Sequence, residues 1–511
     1  MMGKASFRGC GLAFALALAV ADIYSEPLPY SLKWNGTAAK VERLNVSAVP
    51  QNMVWPGYQR PAHQSRAAYM TTVDSSGDAM ELTVAFPSGV VERAATVFRV
   101  RPLSRVLPFH RDGDSLHMSF PGEGQYVLEF PGAAPELHVF VNKPFVYESI
   151  PDDLYFGPGE HNAGIIRPKN GQTVCLAEGA VVYGMLYLDG VRDVRIIGRG
   201  ILDSSRLVRT DKDWNVLQNL NSMRKGLGDP SKNLTQFWAS SCTNVTVEGI
   251  TLRDAPFWAV ILYDGCRNFT FDNVKIVGQW RYNSDGVDIC SSQNVTIRNS
   301  FVRSFDDCVV ARGAGILERK ETTDGVLVEN CVLWCDWGKN CEVCVGERDG
   351  ISVRNVTFRN CVLANIAGCG CDVTAFRGGE NSLIENIVFE GLEYDFVTPR
   401  YRQQMQDKSN PQEPFRYVKN GELRLLRIDM QRNYGGKKPT KKPSVHYRNI
   451  RFSCPKIVGE RPERVSLKVE ESSSDLIVES VTVEGLPDKT EIDGCVEKKY
   501  AVEKRDDRTH D

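Results

Sequence analysis

Apolar and polar residues alternate along short stretches that return at a near-constant interval through the middle of the chain. Asn244-Val245-Thr246-Val247-Glu248-Gly249 is echoed by Asn268-Phe269-Thr270-Phe271-Asp272-Asn273 and by Asn294-Val295-Thr296-Ile297-Arg298-Asn299. The pattern continues in Gly325–Asn330, Asn355–Asn360 and Asn386–Gly391, at spacings of about 24 to 31 residues, with weaker copies from Asp193, Asn449 and Leu476. Period-two alternation closed by Asn or Gly predicts a half-buried strand ending in a turn. No helical period lies between the copies. A β unit that cannot bury its apolar face alone must stack on its neighbours. The prediction is therefore an all-β chain built as a parallel β-helix. The leading Asn residues are expected to stack as a turn ladder, and those within Asn-x-Ser/Thr sequons to serve structure before glycosylation.

Residues 22–145 lack this period. Short β-like runs broken by Pro and Gly, such as Met80–Phe86 and His138–Val141, predict a small β-sandwich-like N-terminal domain. A connector, Pro151–Gly159, leads into a β-helix domain expected over 146–487, followed by a charged tail at 488–511. Lys4 and Arg8, the apolar run Leu12–Val20 and Ala19-Val20-Ala21 read as a signal peptide over residues 1–21, and so as a secreted protein, extracellular or periplasmic. Two segments, Ser204–Thr235 and Tyr394–Pro443, are too long for coil turns and are candidate walls of a binding cleft. The second is basic, a solvated loop or a wall that meets an acidic or sulfated glycan: Arg400–Lys442 holds 12 Lys/Arg against 4 Asp/Glu.

Composition narrows the field without choosing. The 511 residues suffice for two domains. A net charge of −2 gives no global reason to bind nucleic acid. No apolar run reaches the ~20 residues of a membrane span. Fourteen cysteines follow the leader. Cys331, Cys335, Cys341 and Cys344 loosely suggest a zinc pattern. However, Cys331 and Cys361 occupy the same repeat slot, as do Cys242 and Cys266, which fits small apolar thiols stacked in a core. No metal and no cofactor are expected.

The candidate chemistry lies in two neighbouring coils. Asn283-Ser284-Asp285-Gly286 is followed by Phe305-Asp306-Asp307-Cys308. Clustered carboxylates suit hydrolysis of a glycosidic bond, one protonating the leaving oxygen and another activating water. Like charges held together raise one pKa, as a general acid requires. In a regular strand Asp306 and Asp307 would point to opposite sides, so both can serve one site only at a bend. The alternative role for these aspartates is turn capping. Around them, Trp280, Tyr282 and Trp337 are candidates to stack on sugar, and Arg281, Lys339 and Glu342 to contact its hydroxyl or carboxylate groups.

Asn283-Ser284-Asp285 followed by Asp306-Asp307 inside such coils resembles the right-handed parallel β-helix glycoside hydrolases: polygalacturonases of family 28, dextranases of family 49 and α-galactosidases of family 110. The likeness spans about residues 150–485. It implies an inverting enzyme acting on an α-linked polysaccharide or oligosaccharide, with Asp306 as general acid and Asp285 and Asp307 holding and deprotonating water. The Gly-His-Gly and Arg-x-Lys of polygalacturonases have no counterpart: no His lies between His161 and His446. The acidic Glu342 on the following coil is closer to the dextranase and α-galactosidase branches. A uronan lyase and a non-catalytic carbohydrate-binding β-helix are the competing readings.

Overall fold

The computed structural model describes residues 28–47, 65–147, 154–207, 235–313, 322–366, 369–397, 405–406, 414–415, 422–433, 442–494 and 496–499. The leader expected at 1–21, most of both long insertions and the end of the charged tail lie outside the described residues. The chain packs as two compact units. One comprises residues 1–43, 67–100 and 106–143, and the other residues 44–66, 101–105 and 144–511.

The first unit is built around a single core. Leu82, Val84, Leu116 and Met118 of one sheet meet Leu128, Leu137 and Val139 of another. Each sheet has five strands, and one short helix, Val91–Val97, buries Val91 and Ala94.

The second unit is the parallel β-helix that the repeat predicts, with the right hand that the resemblance implies. Within one coil, Gln293–Arg298, Phe301–Ser304 and Val309–Gly313 form three strands; the next coil repeats them as Thr323–Glu329, Val332–Cys335 and Lys339–Val345. The inward residue of each repeat lies in register with its counterparts above and below, Val245 on Phe269, Val295, Val326, Val356 and Ile387 in turn. Stacking buries a continuous core without any coil being stable alone.

The turn ladder is present. Asn244, Asn268, Asn294, Asn355, Asn386 and Asn449 all adopt φ of 54–57°, a left-handed conformation that Asn tolerates better than most residues. Asn268 donates to Asn244 (2.9 Å), Asn294 to Asn268 (3.1 Å), Asn386 to Asn355 (2.9 Å) and Asn449 to Asn386 (2.7 Å). At Gly325 the ladder shifts by one residue, and Asp324 accepts from Asn355 (2.7 Å) instead. The thirteen described cysteines form no disulfide, and all but Cys454 are buried. Cys331 and Cys361 meet across adjacent coils, as do Cys242 and Cys266, as apolar core thiols.

Candidate active site

Three consecutive coils make the same corner at the entrance to one sheet. The Ala259 amide donates to the Asp285 carbonyl (2.9 Å), Gly286 to Asp307 (2.8 Å) and Cys308 to Lys339 (2.9 Å). Segments 283–286, 305–308 and 336–339 are thereby stacked, although 20 to 30 residues separate them in sequence. Gly286 is required where it sits, because a Cβ would overlap the Cys308 carbonyl and Val302.

Phe305–Cys308 is a bend between the strands Phe301–Ser304 and Val309–Gly313. Strand alternation is suspended there, and both aspartates turn to the same side. Gly338 reveals this: a Cβ at that position would overlap Oδ1 of Asp306 and Oδ1 of Asp307 together. Asn283, at φ 55°, donates through Nδ2 to Asp306 Oδ2 (3.4 Å), and Ser304 Oγ holds the Asp306 carbonyl (2.6 Å). Asp307 takes the Lys339 amide on Oδ1 (2.8 Å) and Lys339 Nζ on Oδ2 (3.3 Å). The same ammonium reaches Glu342 Oε1 at 2.7 Å.

One more carboxylate completes the cluster. Asp288, on Val287–Cys290, stands in register with Val310 and then Glu342. Arg312 is shared between them, its Nη2 3.4 Å from Asp288 and 3.6 Å from Glu342. All five carboxyls are buried, Asp288 and Glu342 completely.

Burial disfavours the charged form, and neighbouring carboxylates add to it. Asp285 is raised well above the usual carboxylate range by burial, then by Asp288, Asp306 and Asp307. Burial lifts Asp288 to about 8, against the pull of Arg312, and Glu342 to about 7, against Lys339 and Arg312. Asp307 is raised by burial and partly restored by Lys339. A corner of this kind holds protonated and ionised carboxyls side by side near neutral pH, the condition for acid and base to work together. Asp285 Oδ1, Asn283 Oδ1 and both oxygens of Asp288 are buried without a hydrogen bond. Unsatisfied acceptors of this sort cost about 1–3 kcal/mol each and mark where a bound group belongs. Among the described residues no group of three or more His, Cys, Asp or Glu is arranged to hold a metal ion.

The aromatic candidates separate into two places. Trp337, half-buried, lies flat on Phe305 (centroids 5.2 Å, 7°), with Tyr282 edge-on at 5.4 Å, beside the aspartate pair. Trp280 is instead buried with its indole N–H on Asp254 (3.1 Å), and Arg281 pairs with the same carboxylate. These two residues brace Asp254. Asp288 and Arg312 were missed by the sequence reading. Their signal lies in the coil register: with Val287 and Ile289 facing inward, Asp288 faces outward, opposite Glu342 once the coils are aligned.

The family model for glycosyl hydrolases family 28 matches residues 214–398, a little over a third of the chain. An endopolygalacturonase of Emericella nidulans is 26% identical over 168 residues, 32% of this chain and 40% of that protein. A probable exopolygalacturonase B of Aspergillus fumigatus is 27% identical over 216 residues, 40% and 43% respectively. A polygalacturonase of Medicago sativa is 24% identical over 208 residues, 36% and 47%. The chain thus spans less than half the length of these curated relatives. Among solved structures, Dex49A from Penicillium minioluteum has the same fold at a TM-score of 0.51 and 12% identity, covering 89% of this chain and 94% of that one. The chain carries a segment matching glycosyl hydrolases family 28 on a right-handed parallel β-helix, and it resembles the β-helix glycoside hydrolases in both sequence and fold.

Proposed function

We propose that the protein is a glycoside hydrolase that cleaves α-linked glycosidic bonds by single displacement with inversion. The observation that carries this reading is the convergence of Asp285, Asp306 and Asp307 on one corner, with acceptor oxygens left for a ligand to satisfy. Asp306 donates its proton to the glycosidic oxygen as the bond to the leaving sugar breaks. Asp307, held by Lys339, and Asp285 position a water; that water attacks the anomeric carbon from the opposite face and gives up its proton to a carboxylate. The protein returns to its starting state once Asp306 takes up a proton and the carboxylate that accepted the water's proton releases it to solvent. Trp337, the half-buried ring of the group, offers a surface for an apolar sugar face, while the buried Phe305 and Tyr282 pack against it and hold it in place. The leader expected at residues 1–21 makes the site of action extracellular or periplasmic.

The stereochemical course tests this mechanism. Proton NMR during the first minutes of turnover of an α-linked substrate should show the β-anomer ahead of mutarotation. First appearance of the α-anomer would mean retention, and would remove the single-displacement assignment.

A further inference from the structure

We infer that Asp254 is a positioning residue for the aspartate corner. It lies one coil before the catalytic aspartates and, through Arg281, fixes the turn that places Asp285 and Asp306. This rests on the hydrolase reading above and adds to it a residue that acts only through others.

The anchor comes first. Asp254 follows the strand Thr251–Arg253, 1% exposed and left-handed at φ 56°. Its amide donates to the Val277 carbonyl of the next coil (3.2 Å), which sets it beside the segment that follows Val277. Trp280 Nε1 donates to Asp254 Oδ1 at 3.1 Å, and the Arg281 guanidinium pairs with the same oxygen. Asn45 adds a side-chain hydrogen bond. Arg281 Nη1 also reaches the carbonyls of Asp254 (3.3 Å) and Ala255 (3.4 Å), and the guanidinium lies 4.8 Å from the centre of the Trp280 ring. A planar fork that meets a carboxylate, two carbonyls and an aromatic ring has little freedom left, and neither has the backbone that carries it.

That backbone passes the constraint on. The Arg281 carbonyl accepts both the amide (3.2 Å) and Oγ (2.6 Å) of Ser284, closing the turn 281–284. The Ser284 carbonyl in turn accepts the amides of Phe305 (3.2 Å) and Asp306 (3.4 Å). Asn283, inside the turn, donates to Asp306 Oδ2 (3.4 Å), and Asp285 follows the turn directly. The ion pair is thus two hydrogen-bonded steps from the Asp306 backbone and four residues from Asp285. An ion pair that served stability alone would have no such route to the reacting groups.

Variants of the pair provide the test. Arg281→Met, Arg281→Lys, Asp254→Asn and the double variant Asp254→Asn/Arg281→Met are compared with wild type and with Asn268→Ala, a destabilising change away from the corner. kcat and KM per folded protein are measured on whichever of dextran, pullulan and polygalacturonan the wild type cleaves. Amide exchange of residues 281–286 and 305–308 is read by mass spectrometry. The expected result for Arg281→Met is a kcat lower by about 10²-fold with KM within about twofold, the mark of misplaced reacting groups. Arg281→Lys, which keeps the charge without the fork, should recover part of the loss. The double variant should lose no more than the worse single one, because the two residues act as a unit. It also leaves no buried charge unpaired, and so carries the test where Arg281→Met fails to fold. Exchange in both segments should rise about tenfold in the pair variants, and Asn268→Ala should move neither kcat nor these segments. Wild-type kcat in the folded variants, or unchanged exchange in both segments, overturns the inference and leaves the hydrolase reading standing. No turnover of any substrate by the wild type removes the hydrolase reading; faster exchange in the variants then still upholds the hold of Asp254 on the corner.

Discussion

Asp288 and Glu342 lie two coils apart on the same outward row of one sheet, separated in register by Val310 and joined through the guanidinium of Arg312. Fifty-odd residues of sequence hide this pairing. Only the coil stack brings it into one place, and it adds two buried titratable groups to the three aspartates at the corner.

The fold should therefore lose stability as pH rises through this cluster. Asp288, near 8, and Glu342, near 7, hold protons in the folded protein that carboxyls of the unfolded chain release near pH 4. Between those values the folded state binds more protons, so the free energy of unfolding falls with rising pH. This contribution is fully present below about pH 4 and is lost on passing through about pH 8. Thermal unfolding of the wild type should show that decline between pH 5 and pH 8, and Asp288→Asn should flatten it. An unchanged slope in Asp288→Asn would mean that the proton resides elsewhere.

Lys339 sets the ionisation of the water-holding side. Replacing it by Met removes the cation shared by Asp307 and Glu342. Both carboxyls should then titrate higher, moving the acid limb of the pH–rate profile upward and lowering kcat by about 10²-fold. The pH profile separates this from simple misfolding, which would reduce the amount of active protein without displacing the limb.

Gly338 is a steric gauge of the aspartate pair. In Gly338→Ala the new methyl overlaps Oδ1 of Asp306, Oδ1 of Asp307 and the Asp307 amide. The expected outcome is a stability loss of about 1–3 kcal/mol with a fall in kcat of about 10²-fold, since a shift of about 1 Å at reacting groups has that effect. Wild-type kcat in a folded Gly338→Ala would show that the two carboxylates do not both act.

Asn268 tests the ladder away from the chemistry. Its side chain donates to Asn244 and accepts from Asn294, and its backbone is left-handed at φ 57°. Asn268→Ala should lower stability by about 2 kcal/mol through lost ladder bonds and a disfavoured backbone. Asn268→Gly, which keeps the backbone free, should lose less. Neither should change kcat in the folded fraction.

Much of this was legible in the sequence because a solenoid writes its geometry into a period. Asn at the head of each copy needs a left-handed turn, the apolar positions need partners above and below, and Cys331 and Cys361 share a slot. The aspartate pair could serve one site only if it lay at a bend, and it does. What escaped was partnership across coils. Asp288 sits in an unremarkable Val-Asp-Ile-Cys strand until the register with Glu342 is known. Trp280 and Arg281, adjacent to the motif, were candidates for sugar contact. Their partner Asp254 lies on the preceding coil, and nothing local specifies it.

The most direct measurement is reducing-end release by wild type and Asp306→Asn side by side on dextran, pullulan, carboxyl-reduced polygalacturonan and polygalacturonan. Removing the general acid should lower kcat by about 10³-fold or more while the substrate still binds. Turnover by Asp306→Asn near that of wild type, in a protein with unchanged thermal unfolding, would contradict the assignment of Asp306 as the acid and with it the proposed mechanism.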